Sequence, residues 1–276
     1  MSKDKDFMTT STTYYEKSAL FHGSLMIIMG TRLDTLLLGR SESQSKFIWN
    51  EMEQEVRRLD ALLNKFDKNS EVAKINRQAL LSPAVVSDEL WAILLDCKRY
   101  HQLTLGYFDI SLHDFSKVQL DVTDHTVFFT NQELQLDLSG YAKGYALEKI
   151  RSILTTHKIT QAFINFGNSS VLALGTHPHG ANWLVGITDP FSDKTLGTME
   201  LKDSTMSTSG NMPNHQEHII NPLTGIYSNA KKIVSISCNN AIDAEVLTTA
   251  LMVTDEDKTK AIQSNFKITK CLIFNS

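Results

Sequence analysis

Between Leu136 and Tyr145 the chain reads LDLSGYAKGY, and no other segment restricts the fold as much. Upstream, ELQLDL alternates apolar and polar residues with the period of a strand. Ser139 and Gly140 suit a turn, and YAKGYALEKIRSIL continues with helical spacing, Ser139 being placed to cap it. A helix start presents unpaired N–H groups and partial positive charge, so this turn is a seat for an anion such as phosphate. Lys143 falls in the first helical turn, where the dipole favours an acid, and a bound anion removes that conflict. Asp137, at the end of the strand, is the other candidate ligand contact. The same residues also suit a plain strand–turn–helix with a solvated lysine and an aspartate cap.

Around this segment, apolar runs on either side of Gly30-Thr31 predict two strands from Phe21 to Gly39. Helical spacing follows from Ser43 to Phe66, and Ser87 begins a second helix that runs to Leu103. The third helix spans about Gly140 to His157. Strands then dominate (AFINFG, SSVLALG, NWLVGITDP, LGTMEL, KKIVSIS), before a last helix over Ile242–Val253 and a closing strand, KCLIFN. Helices grouped early and strands paired late predict an α+β fold. Residues 1–18 read as a flexible tail and 19–276 as one domain.

A formal net charge of -4 without a basic run argues against a nucleic-acid surface. Cys97, Cys238 and Cys271 are far apart with no CxxC, so they read as small apolar fillers. No apolar stretch is long enough to span a bilayer, and the first twenty residues lack a signal-peptide core. The chain as written is expected to be cytoplasmic.

Two further segments carry polar chemistry. In SISCNNAIDAEVLTTALMV a helix starts after Asn239-Asn240, and Glu245 shares a face with Thr248 and Thr249, while Asp243 faces Leu247. A carboxylate and hydroxyls so stacked are hard oxygen donors suited to Mg²⁺; acids in a first helical turn also simply complement the dipole. In STSGN followed by HIINPLTG, the turn places His218 at a loop edge, as a general base, a flavin contact or a structural histidine. His177 and His179 read as loop residues. P-loop, Rossmann, HExxH and GxSxG patterns are missing from the sequence.

Taken in order, these segments resemble the ApbE family of FAD:protein FMN transferases. The resemblance is carried by MGT at Met29–Thr31, LLNKFDKNSEVAKIN, GYFDIS, LDLSGYAKGYA, INFGNSSVLALG, NWLVGITDP, STSGN with HIINPLTG, and AEVLTTAL. It implies an ApbE-like α+β fold with an FAD cleft between closely joined α/β subdomains. Met29, Phe66, Tyr107, Phe108, Asp109, Asp137 and Lys143 would contact FAD, with His218 and the main chain of Ile219 near the flavin end. The Gly140 carbonyl, Glu245 and Thr249 would hold Mg²⁺, with Thr248 adjacent. The reaction would pass FMN from FAD to a Ser or Thr hydroxyl of an acceptor flavoprotein, of redox-pump or electron-transfer type, and release AMP. Lys143 would neutralise diphosphate charge, and His218 would be a base for the acceptor hydroxyl. The rival readings are an FAD pyrophosphatase and a catalytically silent FAD-binding protein. Three departures stand out: Glu245 where the family has aspartate, Asn168 where it has glycine, and no lipobox, although family members are often periplasmic lipoproteins.

Overall fold

A computed structural model describes residues 9–211, 219–228 and 230–275. The chain begins with β1 (Thr10–Tyr15), β2 (Leu20–Ile28) and β3 (Thr31–Leu38), then α1 (Glu42–Leu63) and α2 (Glu71–Gln78). A small region follows: β4 (Ala84–Val85), α3 (Asp88–Leu103), β5 (Val118–Asp121) and β6 (Thr126–Phe129). Next come α4 (Ser139–Thr156), β7 (Ala162–Phe166), β8 (Ser170–Leu174), β9 (Trp183–Thr188), β10 (Thr195–Leu201) and β11 (Ser204–Gly210). The last elements are β12 (Ile220–Asn221), β13 (Ile226–Tyr227), β14 (Lys232–Cys238), α5 (Ala241–Leu251), α6 (Glu256–Gln263) and β15 (Ile268–Asn275).

Eight strands form one sheet in the order β1-β2-β3-β7-β8-β11-β14-β15, and every neighbouring pair is antiparallel. The class is α+β, because hairpin pairings rather than βαβ crossovers build the sheet. Period-two alternation sorts its side chains. Phe21, Leu25, Leu33, Leu37, Ile164 and Leu172 meet the apolar stripes of α1 and α4 in the main core. On the opposite face Val171, Ala173, Met206 and Ile233 pack under the β9–β10 hairpin through Trp183, Ile187 and Met199. α5 lies over β8, β11 and β14, and Leu247 and Leu251 cover Val234 and Ile236.

The helix starts follow local chemistry. Ser41, Ser70, Ser87, Asn240 and Asp255 each accept a backbone N–H of the first turn. The β2–β3 connection is a two-residue hairpin with Met29 at φ 47° and Gly30 at φ 74°, so the expected turn sits one residue early.

Four expectations are corrected. Residues 10–15, expected in a flexible tail, form a polar edge strand, since Thr10–Tyr15 pairs with β2. LQLDL is extended but not part of a sheet. The side chain of Asn76 takes the place of a neighbouring strand, accepting from Leu136 N–H at 2.7 Å and donating to the Leu136 carbonyl at 2.9 Å. Ser139 is the first residue of α4, not its cap; the Asp137 carboxylate accepts its N–H at 2.9 Å. Finally, α6 is an additional helix, too short and polar to show a clear apolar period. Among the described residues no helix is long and apolar enough to cross a membrane.

Candidate active site at the α4–α5 crossing

Two glycines let α4 and α5 approach closely. A Cβ on Gly144 would lie 2.7 Å from the Ala241 carbonyl oxygen, and one on Gly140 would lie 3.2 Å from Thr249 Oγ1 and 3.4 Å from the Phe108 ring. The GYAKG spacing therefore serves helix contact, and it brings Lys143 over α5. There the Lys143 ammonium donates to Glu245 Oε1. The other carboxylate oxygen, Oε2, accepts from Ser170 Oγ at 2.6 Å and Ser207 Oγ at 3.0 Å. Glu245 is 4% exposed, so its charge is held almost wholly by protein groups.

The sheet supplies both serines. Ser170 heads β8 and Ser207 lies in β11, directly paired with it, and both face the helices where apolar residues would ordinarily stand. Sequence reasoning did not select Ser170 or Ser207; hydroxyls at inward-facing strand positions were the signal available. Thr248 Oγ1 donates to Ser207 Oγ at 3.2 Å and to the Glu245 carbonyl at 3.0 Å, while Thr249 Oγ1 donates to that carbonyl at 3.1 Å. Gly140, Lys143, Glu245, Thr248 and Thr249 thus converge. Asp243 does not join them, since it accepts from the buried Tyr100 hydroxyl at 2.6 Å. Burial, reinforced by Asp243, pushes that phenol's pKa up.

Asp137 forms an ion pair with Lys65 at 2.7 Å, and Lys65 lies over the ring of Phe66, 5.1 Å from its centroid. Phe66 is 84% exposed. Phe108 is buried against Gly140, and Tyr107 packs between the main core and the α5 cluster. Asp109 is 7% exposed and holds its own loop: it accepts from Ser111 N–H at 2.7 Å, Ser111 Oγ at 2.6 Å and Phe115 N–H at 2.9 Å. Ile110 passes its carbonyl to the Asp137 N–H at 2.7 Å, joining that loop to the start of α4. Ile219 is buried, and its carbonyl accepts from Ser228 N–H at 2.8 Å. His218 lies outside the described residues.

Asn168 keeps the backbone a glycine would allow. Its φ is 56°, a region asparagine tolerates, and its side chain accepts from Asn165 Nδ2 at 2.8 Å. His177 packs edge-on against Trp183 at 5.0 Å between centroids and belongs to a loop. The three cysteines are free, with Cys97 and Cys238 buried as apolar fillers.

The site is thus a lysine–carboxylate pair set between α4 and α5 of an α+β fold. The model of the ApbE family matches residues 29–117 and 112–273, and the chain belongs to that family. It is similar to the FAD:protein FMN transferase of Chlamydia muridarum (strain MoPn / Nigg), 27% identical over 250 residues, covering 76% of this chain and 77% of the relative. The FAD:protein FMN transferase of Klebsiella pneumoniae (strain 342) is 24% identical over 264 residues, covering 82% and 80% of the two chains. The solved flavin transferase ApbE from Vibrio cholerae superposes with a TM-score of 0.79 at 19% identity, over 98% of this chain and 94% of that one.

Proposed function

We propose that this protein transfers FMN from FAD to a serine or threonine hydroxyl of an acceptor flavoprotein, releasing AMP. The observation that carries the reading is the convergence of Gly140, Lys143, Glu245 and Thr249 at the α4–α5 crossing. Curated relatives named FAD:protein FMN transferase match 76% and 82% of the chain and support the transfer of FMN from FAD to a protein.

In this reading the flavin ring lies on Phe66 and the diphosphate reaches the first turn of α4. Lys143 moves its ammonium from Glu245 to the phosphate oxygens, placing positive charge where the breaking bond leaves negative charge. The acceptor hydroxyl oxygen attacks the FMN phosphorus, the bond to the AMP oxygen breaks, and the hydroxyl proton passes to a base. We assign that base to His218, next to the buried Ile219, with a carboxylate of the crossing as the rival.

The donors at the crossing fit Mg²⁺. Glu245, the threonine hydroxyls and the Gly140 carbonyl are all hard oxygens, and Mg²⁺ takes few protein ligands. Among the described residues no three His, Cys, Asp or Glu side chains come together, so the cation would rest on a single carboxylate. Glu245 Oε1 is engaged by Lys143, and it becomes available when the lysine turns to phosphate. Bound there, Mg²⁺ would offset diphosphate charge.

Incubating the protein with FAD, Mg²⁺ and a panel of candidate acceptors tests the proposal. Equal amounts of AMP and covalently flavinylated acceptor are expected. FMN and AMP released with acceptor left unmodified would indicate a pyrophosphatase instead. Tight FAD binding without any product would indicate a silent binder.

A further inference from the structure

One oxygen of the Glu245 carboxylate is closed to a ligand. Oε2 accepts from Ser170 Oγ at 2.6 Å and from Ser207 Oγ at 3.0 Å. An ionised carboxylate can only accept, so both serines give it their hydroxyl hydrogens. Two charge-assisted hydrogen bonds use both lone-pair directions of that oxygen. Oε1 instead receives the Lys143 ammonium. That ammonium marks where positive charge is accepted, and its flexible stem lets it leave. The two oxygens of one buried carboxylate thus have different roles.

The clamp on Oε2 is rigid. Ser170 and Ser207 are directly paired residues of adjacent strands, β8 and β11, inside the eight-stranded sheet. Both are buried, so their hydroxyls are shielded from competing water. Thr248, one turn after Glu245 on α5, braces Ser207 through its Oγ1 at 3.2 Å. Thr248 therefore serves the clamp. Thr249 stays on the side of Gly140, where a Cβ would meet its Oγ1 at 3.2 Å.

We infer that Ser170 and Ser207 are specificity-determining residues for the cation, restricting Glu245 to one coordinating oxygen and so favouring Mg²⁺ over Ca²⁺. This rests on the cation placement proposed above. Mg²⁺ demands a tight octahedral shell, takes few carboxylates and keeps water and phosphate as its other ligands. Ca²⁺ takes about six to eight oxygens at longer range and gains from a carboxylate that offers both of its own. With Oε2 committed to the sheet, the site cannot add the second oxygen that Ca²⁺ would use. Without the serine hydroxyls, Glu245 can turn both oxygens to the cation.

The test loads the protein with FAD, omits any acceptor, and follows bound Mn²⁺ by electron paramagnetic resonance while Mg²⁺ or Ca²⁺ displaces it. Ser170→Ala and Ser207→Ala should each move the ratio of Mg²⁺ to Ca²⁺ affinity towards Ca²⁺. The double variant should move it about tenfold, the usual size for losing an outer partner of a metal ligand. Ser207→Thr, which keeps a hydroxyl, should stay near the wild-type ratio. Both cations are read on the same folded sample, so a general loss of stability lowers both affinities alike and leaves the ratio unmoved. An unchanged ratio in the double variant, or a shift in Ser207→Thr as large as in Ser207→Ala, would overturn the inference. Wild-type protein that takes up no Mn²⁺, or Glu245→Gln that keeps full affinity for it, would instead remove the cation placement itself.

Discussion

Helix α4 makes a carboxylate–cation contact on each of two faces. On the inner face Lys143 meets Glu245 at the α5 crossing. On the outer face Tyr145 donates to Glu89 at 2.9 Å and Lys149 approaches it at 3.3 Å, while Arg58 of α1 donates to the same carboxylate at 2.5 and 3.0 Å. The chemical groups are alike, but their surroundings differ. The Glu89 side chain is 25% exposed and that of Glu245 only 5%. Water can take over either partner of the outer cluster, so it ties α1, α3 and α4 together at small net gain. The inner carboxylate has no such recourse. Its ammonium can leave only when a ligand or cation supplies equivalent compensation, which is the behaviour expected of a site and not of a clamp.

The largest expected effect separates these two cases directly. Lys143→Met should destabilise the protein by about 3 kcal/mol in urea denaturation, because it leaves a buried carboxylate with hydroxyl donors alone. Flavin transfer should fall about a hundredfold or more. Adding Glu245→Gln should recover most of the stability and none of the activity, since a neutral amide does not need the ammonium. A stability loss below about 0.5 kcal/mol, the usual size for an exposed pair, would put both clusters in one category and remove the contrast.

A second test addresses how the inner contact is positioned. Gly144→Ala places a methyl 2.7 Å from the Ala241 carbonyl oxygen and 2.9 Å from Ile242 Cα, and neither is a flexible side chain. The helices must separate, at a cost of about 2 kcal/mol. Lys143 then no longer reaches Glu245 in the same geometry, so transfer should fall with stability. Unchanged melting and unchanged transfer would show that the crossing has slack.

How far these regions could be read in advance follows from the kind of interaction each uses. The starts of α1, α3 and α5 were legible because their caps are local: Ser41, Ser87 and Asn240 bond within three residues of themselves. That Glu245 and Thr249 share a face of α5 was legible from helical spacing, and the grouping of α4 with α5 residues was an expectation from the family resemblance. The serines that hold Glu245 were not legible, since Ser170 and Ser207 lie 75 and 38 residues from it in sequence and meet it only through sheet pairing. β11 was hidden for a related reason: STMSTSG has too few apolar residues to signal a central strand, and its hydroxyls find partners far away in sequence, Ser207 on Glu245, Thr205 on the Cys238 carbonyl and Thr208 on Ser235. LQLDL was misread because Asn76, 60 residues away, completes its backbone pairing with a side chain. The polar edge strand Thr10–Tyr15 has little apolar alternation and is defined by its partner β2 alone.

The smallest expected effect lies in the outer cluster, and its pH dependence identifies it. The Glu89 carboxyl is held down at about 2, against an ordinary value of 4.5, chiefly by its hydrogen bonds from Arg58. A pKa lower in the folded than in the unfolded chain contributes stability above the ordinary value, and that stability is lost as the pH falls towards about 2. Glu89→Gln should therefore cost about 0.5 kcal/mol at pH 7. The gap in melting temperature between variant and wild type should stay constant from pH 7 down to about 5, narrow below that and close in strong acid. Added salt should shrink the gap at neutral pH, because these charges are reached by solvent. The Lys143→Met penalty, arising in the interior, should respond far less to salt. If salt reduced both penalties by the same fraction, burial would not be what distinguishes the two faces of α4.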